Sequence, residues 1–186
     1  MRPLLSEKAR EVFLYGCSGK WYKGGDPMKY MSVDRLSDFE FHDAEIELVS
    51  FAEHQLIVQA QYLNVHQDAA QNPFETDMQI DRARMVFEGF DCISYEPGRA
   101  WHTDEKGKLY TDEPQKILLG DDARRRFLEQ LNVGLTLYDF YIQEEKTYVL
   151  DAMAIEPFFT VCVTFDRVVI EWDEYQAQAW YVPKKG

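Results

Sequence analysis

The sequence predicts an α+β protein that is mainly antiparallel β: a single curved sheet, sandwich or open barrel with two short peripheral helices. Three observations carry this reading. Residues 158–173, FFTVCVTFDRVVIEWD, pack Thr, Val, Phe, Ile and Trp into two short runs around Asp166-Arg167. Residues 44–63 alternate apolar and polar side chains on both sides of a turn at 52–55. Only two stretches, 4–15 and 121–131, repeat apolar residues at helical spacing. β-Branched and aromatic residues suit a pleated, half-buried surface, and period-two alternation marks a strand with one buried face.

In the first 38 residues, Leu5, Ala9, Val12 and Phe13 space a helix with Ser6 as cap and Gly16 as stop. An irregular segment broken by Gly24-Gly25 and Asp26-Pro27 follows, and 39–186 form the β-rich body of one domain spanning 1–186. Strands at 44–51 and 56–63 make a hairpin. Strands at 80–88 and 90–95 flank Gly89, a bulge or sharp bend. Residues 101–114 hold a ribbon around Lys106-Gly107, and 115–119 one further strand. The helix at 121–131 is capped by Asp121 or Asp122 and apolar at Ala123, Phe127, Leu128 and Leu131. A hairpin at 135–143 and 147–155 comes next. Residues 158–165 and 168–172 read as a second hairpin turning at Asp166-Arg167, and 175–182 as an edge strand.

The 33 acidic residues outnumber the 20 basic ones, giving a net charge of −13. Such a field repels phosphate backbones and attracts basic proteins, so the expected partner is a basic protein and not a nucleic acid. The one dense basic run, Arg124-Arg125-Arg126, is flanked by Asp121, Asp122 and Glu129. Three cysteines in odd number, with no C-x-x-C pair, point to a reduced cytoplasmic setting. No membrane span or signal segment is expected, and the sequence names no oligomeric state.

No catalytic, cofactor or metal signature stands out. His42-Asp43 has the right residue types for a base or a metal, but neighbours on a strand diverge unless the backbone bends there. His42, His54 and His66 recur every twelve residues without anything to fix convergence. Asp139 and Asp151 interrupt apolar-aromatic runs on consecutive strands; an ionic partner is sought in Arg82, Arg84 or Arg99. Trp101, His102, Trp172 and Trp180 are candidates for an aromatic recognition surface.

The run Phe39-Glu40-Phe41-His42-Asp43-Ala44-Glu45-Ile46 resembles the F-H-D-[AS]-x-I strand start of several small bacterial families of uncharacterised or immunity-type proteins. Residues 168–173, VVIEWD, are similar to their closing strand. The resemblance implies a module that binds and neutralises a toxin domain without catalytic residues. The expectation is therefore a non-catalytic, acidic, immunity-like protein of the bacterial cytoplasm. A small-molecule-binding or hydrolytic β protein with a carboxylate- and histidine-lined pocket is the alternative.

Overall fold

The computed structural model describes residues 28–183. The expected helix at 4–15 lies outside the described residues. In chain order the strands begin with β1 (Tyr30–Val33), β2 (Phe39–Glu40), β3 (Glu45–Ala52), β4 (Gln55–Gln61), β5 (Asn64–Val65) and β6 (Met78–Ile80). There follow β7 (Arg82–Glu88), β8 (Asp91–Pro97), β9 (His102–Thr103), β10 (Leu109–Tyr110) and β11 (Leu118–Leu119). Helix α1 (Gly120–Val133) precedes β12 (Leu135–Glu144), β13 (Thr147–Met153), β14 (Phe159–Thr164), β15 (Arg167–Trp172) and β16 (Tyr175–Gln178). Every strand pairing is antiparallel.

Ten strands form one open sheet in the order β1-β15-β7-β4-β3-β12-β13-β14-β8-β11. A four-stranded sheet, β16-β6-β5-β2, and the β9-β10 ribbon stand beside it, so the strands of the described residues form three sheets and not the single curved sheet that was one of the expected arrangements. The hairpins β3-β4 and β12-β13 form where alternation placed them. The residues around 30–33, read as irregular, supply β1, which pairs with β15.

The expected hairpin at 158–172 does not form. β14 and β15 pair not with each other but with β8 and β7. Register runs from Trp172↔Ala83 to Arg167↔Glu88 and resumes at Thr164↔Asp91, ending at Phe159↔Pro97. The Asp166 amide donates to the Glu88 carbonyl at 2.8 Å between the two halves. Residues 82–97 and 159–172 are thus one long ribbon, bent at Gly89-Phe90 and Phe165-Asp166. Asp-Arg carries turn chemistry, but a corner in a continuing strand has the same local composition, and only the distant 82–97 segment decides between them.

At that corner Gly89 has φ +67°, a conformation that disfavours side chains, and the Phe90 amide donates to the His54 carbonyl in the β3-β4 turn at 2.7 Å. Phe165 stacks on Tyr148 at 4.2 Å and meets Phe87 at 5.0 Å, while Phe90 stacks on Phe127 of α1 at 6.2 Å. Ala123, Phe127 and Leu131 form the buried stripe of α1 as their spacing predicted. Its N-cap is Leu119, without a side-chain cap bond; Asp121 and Asp122 instead sit in the first turn, where carboxylates favour the helix dipole. A void of ≈ 30 Å³ amid Phe41, Leu56, Met85, Phe87, Phe140 and Val163 is lined only by apolar side chains, so it is core and not a ligand site.

Trp172 is wholly buried, stacked on Tyr30 at 5.5 Å and edge-on to Phe39 at 5.7 Å. It joins the large sheet to β2 of the smaller one, and the expectation that its ring lines a recognition surface gives way to this packing role. Gly98 closes the far end of the ribbon: its amide donates to the Phe158 carbonyl at 2.6 Å, and an added Cβ would collide with that same oxygen. Because the obstacle is backbone, Gly98→Ala is expected to cost about 1–3 kcal/mol. Gly89→Asn, at a site whose φ Asn tolerates and where the obstacle to a Cβ is the exposed carboxylate of Asp166, a side chain that can swing aside, should cost less. Denaturant unfolding of the two variants checks the order.

Candidate functional site: an acidic aromatic face

The β12-β13 hairpin carries two register shifts, one between Leu137 and Asp139 and one between Ile142 and Glu144. The first sets Asp139 directly opposite Asp151. Like charges facing each other across a ladder are destabilising. Asp139 Oδ1 accepts from the Phe140 amide at 2.8 Å, and Asp151 Oδ1 from the Thr160 hydroxyl at 2.6 Å. Among the described residues neither has an ion-pair partner: Arg84 is taken by Glu171 at 2.9 Å and Arg99 sits 3.8 Å from Glu96. The phenol of Tyr141 is raised above its ordinary range, first by burial and then by the Asp151 and Asp139 carboxylates. Those three groups therefore share one surface.

Exposed apolar residues lie close to this pair: Tyr138, Met153 and Phe158. The Tyr138 hydroxyl lies 2.8 Å from Met153 Sδ, and its ring 5.9 Å from that of Phe158. The His42 Nδ1–H donates to the Tyr138 carbonyl at 2.8 Å, fixing the tautomer and adding His42 to the edge of the patch. The bend that a converging His-Asp pair requires is present, since Asp43 has φ +66°. Its carboxylate comes within 3.7 Å of His42 Nε2. The Asp43 amide donates to the Leu137 carbonyl and the Leu137 amide to that of Ala44, each at 2.9 Å, stitching this corner onto β12.

Trp180 follows β16 and is exposed, its ring 6.2 Å from His42. It is held there by Asp77, whose carbonyl accepts from the Ala179 amide and whose carboxylate accepts from the Tyr181 hydroxyl, both at 2.9 Å. Asp77 also accepts from the Gln67 amide at 2.7 Å and lies 3.1 Å from His66 Nδ1. Burial works to raise the Asp77 carboxyl, but the His66, Gln67 and Tyr181 donors outweigh it and hold it below its ordinary 3.8. Nothing in the polar 67–77 segment marked this clasp, because its partners come from sequence positions up to 104 residues away.

His42, Asp43, Asp139, Asp151 and Trp180 thus fall on or beside one face. Trp101 and His102 do not join it. The Arg99 guanidinium stands 5.5 Å over the Trp101 ring, and His102 pairs with Tyr110 across β9-β10. The three evenly spaced histidines also find separate partners: His42 the Tyr138 carbonyl, His54 the Phe90 carbonyl and His66 the Asp77 carboxylate. Among the described residues no group of three His, Cys, Asp or Glu side chains is placed to hold a metal ion. Nor, among those residues, does any serine, threonine or cysteine bond to a histidine. The basic run is neutralised, with Arg124 on Asp121 and Asp91, Arg125 on Asp122, and Arg126 on Glu129 and Glu156. Burial, then Asp91, pushes the Cys92 thiol up to about 12, which makes it a poor nucleophile. What the face offers chemically is uncompensated negative charge among exposed aromatic and sulfur groups.

Replacing Asp139 by Asn removes the cross-ladder repulsion and should stabilise the fold by about 0.2–1 kcal/mol in dilute buffer, with the gain shrinking in high salt. Asp77→Asn should destabilise at neutral pH. A carboxyl held low when folded stabilises fully above its unfolded value of 3.8, and that contribution fades as pH falls through the lower folded value. The unfolding curves of the wild type and the Asp77→Asn variant should therefore converge in acid, which a pH series of melts would read out. In comparisons with known proteins, no family model, no curated protein and no solved structure matches this chain.

Proposed function

We propose that this chain is a non-catalytic acidic binding module whose β12-β13 face docks a basic protein. The observation that carries the reading is the Asp139–Asp151 pair, two carboxylates set opposite each other with no cation beside them among the described residues. A Lys or Arg from a partner would relieve that repulsion, and Tyr138, Met153, Phe158 and Trp180 supply the apolar area that desolvates such a contact. The net charge of −13 adds long-range steering toward a basic surface. The F-H-D-A-x-I start, whose His42 and Asp43 border this face, supports an immunity-like role in the bacterial cytoplasm, with a toxin domain as the partner. The free thiols of Cys92 and Cys162 agree with a reducing compartment.

We further read the sheet as closing toward a barrel. Following the ladders from β15 through β7, β4, β3, β12 and β13 leads to β14, which rejoins β15 through Phe165 and Asp166 alone. Phe87 of β7 and Phe140 of β12 meet at 6.5 Å, which supports a strongly curved wall behind the docking face.

Titration against basic toxin domains, with affinity followed over a salt series, tests the docking. Binding should weaken steeply with salt, and Asp151→Lys should lower affinity by at least about tenfold while leaving the melting temperature within a few degrees. Salt-insensitive binding, or an unchanged affinity for the charge-reversed variant, contradicts the proposal.

A further inference from the structure

The described residues contain two exposed tryptophans, Trp101 at 56% and Trp180 at 59% of full exposure, and the fold treats them differently. Trp101 is already covered by a cation, the Arg99 guanidinium 5.5 Å over its ring. Trp180 has no lysine or arginine over it among the described residues. An indole face attracts a cation more strongly than a tyrosine or phenylalanine ring does.

Trp180 is held as well as exposed. The Asp77 clasp fixes Ala179 and Tyr181 on either side of it, and the rings of His42 and Tyr181 stand 6.2 Å and 5.5 Å from its own. A side chain ordered before it meets a partner loses little freedom on binding.

Two carboxylates border this corner. Glu40 Oε1 accepts from the His42 amide at 2.9 Å, and Asp43 Oδ1 lies 3.7 Å from His42 Nε2. The Glu40 charge also reaches Tyr181, whose phenol is raised by burial first, then by Asp77, and last by Glu40. Among the described residues neither Glu40 nor Asp43 has a lysine or arginine within ion-pair distance. With its Nδ1–H engaged by the Tyr138 carbonyl, the neutral His42 ring offers a lone pair at Nε2, beside the acceptors of Asp43. The corner is therefore rich in acceptors and short of donors and positive charge.

Shape decides between the two basic side chains. An ammonium is a compact, strongly hydrated charge. A guanidinium is flat, stacks on an indole and carries N–H groups along its edge that reach several acceptors at once.

We infer that Trp180, His42, Asp43 and Glu40 form an arginine-selective anchor, in which a partner's guanidinium stacks on the Trp180 indole and donates to His42 Nε2 and the neighbouring carboxylates. The anchor rests on the reading of the β12-β13 face as a docking surface for a basic protein. It adds a preference for arginine over lysine, which the Asp139–Asp151 pair alone does not supply.

Titration of the full chain in low-salt buffer with two blocked hexapeptides of equal charge, hexa-arginine and hexa-lysine, tests it. Hexa-arginine should bind about fivefold tighter or more. Trp180→Ala, an exposed substitution, should bring the two affinities within about twofold at an unchanged melting temperature, by weakening hexa-arginine. Asp43→Asn, which keeps a residue tolerant of the positive φ at that position, should narrow the preference as well. Asp151→Lys should weaken both peptides and leave their ratio as it is. Equal affinity of the two peptides for the wild type overturns the inference, and so does an arginine preference that survives Trp180→Ala; either result leaves docking of basic chains on the face intact. If neither peptide binds, both readings fall. Trp180-dependent binding that Asp151→Lys does not weaken supports the anchor and counts against the carboxylate pair as the docking point.

Discussion

The structure hangs on one pairing of distant segments, residues 82–97 against 159–172, maintained in register through a corner. A ladder that turns a corner must bury its bend, since neither half can continue flat. Gly89 supplies the positive φ, and Phe90 and Phe165 turn inward from the two strands. Phe165 then fills the space between Phe87 and Tyr148, and Phe90 meets α1 through Phe127. Fully burying aromatic rings of this size is worth roughly 1.5–3 kcal/mol each, enough to offset the backbone cost of the bend. Pairing over such separation carries a loop-closure entropy larger than that of the short hairpins β3-β4 and β12-β13.

From that corner the two surfaces of the protein take different characters. The inward side is almost wholly apolar, its few buried polar exceptions, Ser32, Asp38, Asn64 and Gln130, being scattered along the chain. The outward side of β12 and β13 holds Asp139, Asp151 and Tyr141, with Tyr138, Met153 and Phe158 close by. Cations are plentiful on α1 but spent on its own carboxylates and on Asp91 and Glu156. The charge imbalance is thereby expressed where, among the described residues, no arginine pairs with the carboxylates, which is the reason the hairpin and not the helix is the docking candidate.

The second sheet matters because it carries the periphery of that face. β2 delivers His42 and Asp43, and β16 delivers Trp180; both strands reach the body through Trp172, against which Tyr30, Phe39 and Tyr175 pack. A buried tryptophan thus sets the position of an exposed one further along the chain, with the Asp77 clasp completing the link.

Strand content, the hairpins β3-β4 and β12-β13, the bend at Gly89, the ribbon at β9-β10 and the buried stripe of α1 follow from local pattern, because alternation and helical spacing are properties of near neighbours. The same local grammar made Asp166-Arg167 read as a turn and Trp172 as surface. Whether a polar pair interrupts a strand or reverses it, and which face of a strand meets another layer, depends on segments far away in the chain. The candidate site divides likewise. His42-Asp43 and the carboxylates of β12 and β13 are visible as residue types. Their convergence needs the bulge that aligns Asp139 with Asp151 and the positive φ of Asp43 that turns it toward His42. Asp77 carries no sequence mark, since an ordinary acid becomes distinctive only when tertiary packing removes water from it and decides which neighbours remain.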